Sequence, residues 1–214
     1  MSVPEPPCIH VIAGVNGGGK SSIAGAAFRE FGGHYYNPDE AARSFKTRNP
    51  ALTQADANSA AWHQGVRLLK RAIDERLDFA FETTLGGSTI THLLAQAAAQ
   101  RITIHLWYVG LSSPELHIQR VKSRVRRGGH DIPEKDIRRR YEHSRLNLIA
   151  LLPHISSLRM FDNSVEADPA AGHAPSPQLI LHMEHRQILA PPDLSHTPGW
   201  ARSIVAAALK LSQA

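Results

Sequence analysis

Cys8-Ile9-His10-Val11-Ile12-Ala13-Gly14-Val15-Asn16-Gly17-Gly18-Gly19-Lys20-Ser21 is an apolar run followed at once by the pattern G-x-x-x-x-G-K-[ST]. The first six residues read as a buried strand. The glycines behind them can take positive φ and turn successive backbone N–H groups toward one anion. A helix beginning near Lys20 adds the partial positive charge of its N-terminus. In that setting Gly14, Asn16, Gly17, Gly18 and Gly19 form a phosphate cradle, Lys20 reaches the β- and γ-phosphates, and the Ser21 hydroxyl ligates Mg²⁺. The stretch implies a nucleoside triphosphate before any other part of the chain is read.

Outward from this loop, helix-like and strand-like runs alternate. A helix over 20–31 is followed by a short strand at 34–37, a long helix within 53–77 and a strand at 79–83. A helix at 88–100, a strand at 102–109, helices at 114–127 and 134–151 and a strand at 157–162 complete the series. This order predicts a three-layer α/β fold of the P-loop NTPase kind, with a central, mostly parallel five-stranded sheet between helices. In the long helix Val66, Leu69, Ile73 and Leu77 keep to one face, as packing on a sheet requires. Ser113 before Pro114 is a helix N-cap with proline in the first turn. After Asn163 the composition changes: 165–177 has almost no packing residues and reads as a surface loop, 178–182 and 186–190 as a hairpin, and 198–211 as a closing helix. The expectation is one domain over 1–214, with its core in 8–164.

The 214 residues carry a net charge of +5, with 42% hydrophobic and 20% charged residues, which suits a globular protein with one core. No apolar run approaches the ~18 residues a membrane span needs, and Met1–Pro7 has no signal-peptide pattern, so a cytoplasmic location is expected. The lone Cys8 has no internal disulfide partner and reads as a small buried hydrophobe. The positive charge is concentrated between Arg120 and Arg145, which implies either a phosphate-handling surface or a nucleic-acid footprint.

In such a sheet, ligands meet the carboxyl ends of the strands. Three carboxylates stand there: Asp39 in Asn37-Pro38-Asp39-Glu40, Glu82 in Phe81-Glu82-Thr83-Thr84, and Asp162. A carboxylate beside the loop can help hold Mg²⁺ or take a proton from an acceptor hydroxyl. Asp39 can equally be the N-cap of a helix over 40–46. The basic segment divides at Gly128-Gly129-His130-Asp131-Ile132-Pro133, which reads as a lid hinge. On its first helix Ile118, Val121 and Val125 form the apolar stripe, and Arg120, Arg124 and Arg127 lie opposite. Arginines in that position neutralise the charge of a transferring phosphoryl group. His130 in the turn is a candidate contact to substrate. The thirteen histidines are scattered without metal-ligand spacing.

Taken in order, Ala13–Ser22, Asn37-Pro38-Asp39-Glu40, Phe81–Leu85, Tyr108–Leu111, Arg124–Pro133 and Arg138-Arg139-Arg140-Tyr141 resemble the zeta-toxin-like family of P-loop kinases. Its better-studied members phosphorylate a hydroxyl of UDP-N-acetylglucosamine from ATP. The resemblance implies that Asp39 is the base toward the acceptor hydroxyl, and that Lys20, Ser21 and Ser22 serve ATP and Mg²⁺. It further implies that Glu82 and Thr83 shape the acceptor pocket, that Asn163 lines the adenine pocket, and that lid and post-lid arginines such as Arg124, Arg127 and Arg138 contact phosphate. A small-molecule acceptor is the expected partner, and a separate antitoxin-type protein is a second one the resemblance admits. The alternative is a nucleic-acid-associated ATPase or polynucleotide kinase. Against it, only Tyr141 among the aromatics interrupts the basic run, so a stacking platform for single strands is missing.

Overall fold

The computed structural model of the protein describes residues 6–20, 35–165 and 177–213. The expected helix after Lys20, with Ser21 and Ser22, and nearly all of the loop 165–177 lie outside the described residues. Strand β1 (Cys8–Ala13) is central, with β3 (Phe79–Thr83) on one side and β4 (Thr103–Gly110) on the other, both parallel to it. β2 (Tyr35–Tyr36) adds to β3, and β5 (Ser157–Asp162) to β4, again in parallel. The phosphate-loop sequence therefore leaves the carboxyl end of β1 between β3, which ends level with it, and β4, which runs two residues further.

The sheet has seven strands in the order β2-β3-β1-β4-β5-β6-β7, where five were expected. The hairpin β6 (Gln178–Glu184) and β7 (Gln187–Ala190) pairs antiparallel to β5 and extends the sheet. Local pattern gives a hairpin but carries no information on the distant edge it joins. Burial of Ile180, Leu181 and Met183 against the main core supplies the reason.

The two faces follow from strand periodicity. Ile9, Val11 and Ala13 of β1 lie with Ile104, Leu106 and Tyr108 of β4 in the larger core cluster, while Ile12, Trp107 and Val109 lie in a smaller cluster on the other face. The larger core is covered by α2 (Gln54–Asp74), α3 (Ser88–Ala99), α5 (Glu134–Leu151) and α6 (Arg202–Ser212), through Leu69, Leu94, Leu148 and Ile204. Leu77 does not continue the α2 stripe. Glu75 caps the helix, Arg76 takes φ 54°, and the Leu77 N–H returns to the Ala72 carbonyl at 2.9 Å, leaving its side chain exposed.

Helix α1 (Pro38–Arg48) begins earlier than expected. Its cap is Asn37, whose side-chain oxygen accepts from the N–H groups of Asp39 (2.9 Å) and Glu40 (3.3 Å), so the Asp39 carboxylate is not the cap. Helix α4 (Pro114–Arg126) is capped by Ser113, which accepts from Leu116 N at 3.2 Å. At the end of β4, Gly110 lets the Trp200 indole lie against the strand, where a Cβ would collide with the ring. Trp200 thereby ties the C-terminal segment to the level of the phosphate loop. Among the described residues no helix is long and apolar enough to cross a membrane.

Candidate active site

The loop after β1 is built against backbone. Gly14 has φ 140°, and a Cβ there would meet the carbonyl of Val109 on the neighbouring strand. Gly19 has φ 89°, and a Cβ would meet the Asn163 amide. Both positions therefore require glycine. Asn163 is 4% exposed and donates from Nδ2 to the Gly18 carbonyl at 3.0 Å, while its own carbonyl accepts from Arg120 at 2.8 Å. It supports the loop from beneath and lines neither of the two cavities described below.

Lys20, 7% exposed, folds over its own loop: Nζ donates to the Gly14 carbonyl at 2.7 Å and stands 3.4 Å from Glu82 Oε1. The other Glu82 oxygen accepts from Asn37 Nδ2 at 3.3 Å. One acidic side chain thus joins the loop lysine to the cap of α1. Thr83, next to Glu82, accepts from Leu85 N at its hydroxyl, and its carbonyl accepts from Gly14 N at 3.2 Å.

Asp39 faces two groups from the hinged segment at longer range, Arg124 NH1 and His130 Nε2, each at 3.8 Å from one of its oxygens. Arg124 also donates to the His130 carbonyl at 3.3 Å, and its buried Nε has no hydrogen-bond partner among the described residues. Burial lowers the pKa of His130, with Asp39 opposing that shift and the neighbouring arginines adding to it, so the ring is held toward its neutral form.

Two further residues complete the loop's surroundings: Arg140, one of the 138–140 run that the resemblance assigns to phosphate, and His117, which the sequence does not single out. Arg140 on α5 donates to Asn16 Oδ1 at 2.7 Å, and burial pulls its pKa down. His117 on α4 is 1% exposed, with Nδ1 at 2.9 Å from the Asn16 carbonyl; because a carbonyl only accepts, Nδ1 carries the hydrogen. Desolvation, with Lys20 and Arg120 nearby, holds His117 down at about 4. No local signal marks His117, since its partner lies 101 positions away in the chain. The arginine run 138–140 was visible in sequence, but the member expected at the site was Arg138. Arg138 instead pairs with exposed Glu115 at 2.5 Å and lines neither cavity, whereas Arg140 lines the one beside the loop. Asp162 also stays out of the site, accepting from Ser164 N at 3.0 Å and from its hydroxyl in a local turn.

Two cavities meet at Asp39 and His130. The first, about 420 Å³, is lined by Asn16, Lys20, Glu82, Thr83 and Arg140, and by Tyr36 and Trp62 at greater distance along the chain. The second, about 700 Å³, is lined by Arg43, Arg120, Arg124 and Arg127, with Asp39 as its carboxylate. The Arg127 guanidinium donates to Ser123 Oγ at 3.3 Å.

A glycine-rich loop on the middle strand of a parallel sheet, with an inward lysine and an arginine-bearing hinged segment above it, defines a P-loop nucleotide-binding protein of the kinase type. The chain matches the Zeta toxin family over residues 2–164, and it belongs to that family of P-loop kinases. An uncharacterized protein of Haemophilus influenzae (strain ATCC 51907 / DSM 11121 / KW20 / Rd) is 32% identical over 129 residues, covering 60% of this chain and 88% of the relative. Among solved structures, the AvrRxo1-ORF1:-ORF2 complex with ATP superposes with a TM-score of 0.66 at 13% identity over 96% of this chain; the present chain spans 64% of that chain's length. The PezAT chromosomal toxin-antitoxin system of Streptococcus pneumoniae gives a TM-score of 0.57 at 13% identity, covering all of this chain and 86% of that one.

Proposed function

We propose that the protein transfers the γ-phosphoryl group of ATP to a hydroxyl of a small molecule. The observation that carries this reading is the placement of Asp39 in the shared wall of two cavities, one opening on the phosphate loop and the other lined by arginines. ATP lies along the loop with its phosphates toward Lys20, Arg124 and Arg140. The buried, unpartnered Nε of Arg124 fits an anion there, since a phosphate oxygen would satisfy it. The acceptor occupies the 420 Å³ cavity. Its hydroxyl oxygen bonds to the γ-phosphorus as the bond to the bridging oxygen breaks, ADP leaves, and the hydroxyl proton passes to Asp39. Arg140, held by Asn16, stabilises the charge that spreads over the transferring oxygens.

The residues around the loop also fit Mg²⁺. Glu82 and Asp39 are hard oxygen donors lining the same cavity as Lys20, and Ser21, outside the described residues, is the hydroxyl that the motif assigns to the ion. When bound, the ion would neutralise charge on the β- and γ-phosphates.

A UDP-sugar is the acceptor that the family resemblance implies, and a separate antitoxin-type protein is the partner that the toxin-antitoxin neighbour supports. The protein is incubated with ATP, Mg²⁺ and a panel of UDP-sugars, nucleosides, amino sugars and other hydroxyl compounds, and products are searched by mass spectrometry for one added phosphate. Intact ATP binding with no phosphorylated acceptor would remove the small-molecule kinase reading.

A further inference from the structure

The two cavities divide the charge of the site unevenly. The larger one gathers Arg43, Arg120, Arg124 and Arg127 against the single carboxylate of Asp39. The smaller one is lined by the carboxylates of Asp39, Glu82, Asp131 and Asp136, with Lys20 and Arg140 as its cations. Both of those cations are tied to the phosphate loop, Lys20 through Gly14 and Glu82 and Arg140 through Asn16. They stand where a γ-phosphate belongs, so among the described residues the rest of the smaller cavity has no lysine or arginine to offer an anion.

From this segregation we infer that the acceptor is a phosphate-free hydroxyl compound carrying an ammonium group, recognised by Asp131 and Asp136. The inference rests on the kinase reading of the same site. Asp39 and Glu82 are already accounted for by the proton and by the loop lysine and metal. Asp131 and Asp136 have no part in that chemistry, yet the hinge turn and the start of α5 bring both to the cavity. Asp131 uses Oδ1 to accept from Ile132 N at 2.8 Å, and Asp136 Oδ1 pairs with Arg139 at 3.1 Å. Each retains a second oxygen for a ligand. Another wall of the cavity carries the indole of Trp62, 44% exposed on α2, and an exposed aromatic face favours a cation over an anion. Tyr36, beside it, donates its hydroxyl to the Ala61 carbonyl at 2.5 Å and contributes mainly ring surface. A nucleoside diphosphate moiety in this half would face carboxylates with no free counter-charge.

The test is calorimetric binding to the full chain loaded with Mg²⁺ and a non-hydrolysable ATP analogue. The probes are neamine, its N-acetylated form, and UDP-N-acetylglucosamine. Neamine is expected to bind about tenfold or more tightly than the acetylated form, the equivalent of one ion pair of about 1.4 kcal/mol, and to lose that advantage in high salt. Asp131→Asn keeps the oxygen that accepts from Ile132 N; combined with Asp136→Asn it should weaken neamine by about tenfold or more, while affinity for the ATP analogue stays within about twofold. Equal binding of neamine and its acetylated form, tighter binding of the UDP-sugar, or no measurable neamine binding would each overturn the inference. Phosphorylation of the UDP-sugar in those cases would leave the kinase reading standing. Failure of every hydroxyl compound to gain phosphate would remove that reading by itself.

Discussion

Lowering the pH should loosen the phosphate loop through one side chain, His117. Its Nδ1–H donates to the Asn16 carbonyl, and a Cβ on Gly18 would stand 3.6 Å from the imidazole Cε1, so the ring lies against the loop itself. Protonation would add a charge at Nε2, in a buried position facing Lys20 and Arg120. Desolvation therefore holds the folded-state pKa at about 4, against 6.5 for a free histidine. The folded pKa lies below the unfolded one, so the unfolded chain takes up the proton first as pH falls. Stability is fully present above pH 6.5 and is lost between 6.5 and about 4. Linkage over that interval gives roughly 2 kcal/mol lost by pH 5 and about 3 kcal/mol by pH 4, with almost none at pH 7.5. His117→Asn places an amide N–H close to where Nδ1–H stood and removes the titration. Urea unfolding of both proteins at pH 7.5, 6 and 5 isolates the effect as a difference in slope, free of any difference in absolute stability. His10, which desolvation also holds at about 4, contributes equally to both proteins and cancels. Parallel loss of stability in the two proteins, or an NMR titration of His117 near 6.5, would refute the argument.

Lys20→Ala should lower ATP turnover by about 10²–10³, whereas Asp39→Asn should keep ATP-analogue affinity and reduce transfer by about 10²–10⁴; equal transfer rates in wild type and Asp39→Asn would take Asp39 out of the base role. Arg140→Ala is expected to reduce kcat by about 10²–10³, and Arg138→Ala, which loses only a surface pair, to leave it within about twofold; steady-state kinetics on both variants separates the two arginines. Asn37→Ala loses the cap of α1, at about 1 kcal/mol of stability, and also the amide that holds Glu82. Asn37→Ser restores the cap without reaching Glu82, so thermal stability should recover in that variant and activity should not. Gly110→Ala drives a methyl group into Trp200 and should lower stability by about 1–3 kcal/mol, measured by denaturant unfolding.

Much of this architecture was legible because its signals are local. The apolar strand before a glycine loop, the Ser113-Pro114 start of α4 and the limits of β5 need only neighbouring residues. The Asn37-Pro38 start of α1 carries the same kind of signal, two residues ahead of the expected start at 40, and Asn37 rather than Asp39 is the cap. What was not legible depends on which elements meet. The hairpin was visible, but its pairing partner lies across a long connection. Ile137 and Tyr141 mark the buried stripe of α5, and helical spacing puts Arg138 and Arg140 on opposite flanks of it. Sequence thus narrows the choice to two flanks, and only the packing of α5 beside the loop decides that Arg140 reaches Asn16.

The arrangement around Asp39 links positioning to chemistry. Asn37 follows β2 and caps α1 with one side-chain atom while its amide holds Glu82, which in turn holds the loop lysine. The residue that fixes where Asp39 emerges is therefore linked, through a single carboxylate, to the lysine that would meet the γ-phosphate in the proposed reaction. From the other side, Arg124 and His130 approach Asp39 at 3.8 Å, too long for direct hydrogen bonds. Both belong to the hinged segment, joined through the Arg124 contact to the His130 carbonyl. On the proposed kinase reading, a phosphate drawing Arg124 toward the loop would take its charge away from Asp39, leaving that carboxylate to accept the proton of an acceptor hydroxyl. Donor binding and activation of the base would then be one displacement of the arginine segment relative to β3 and α1.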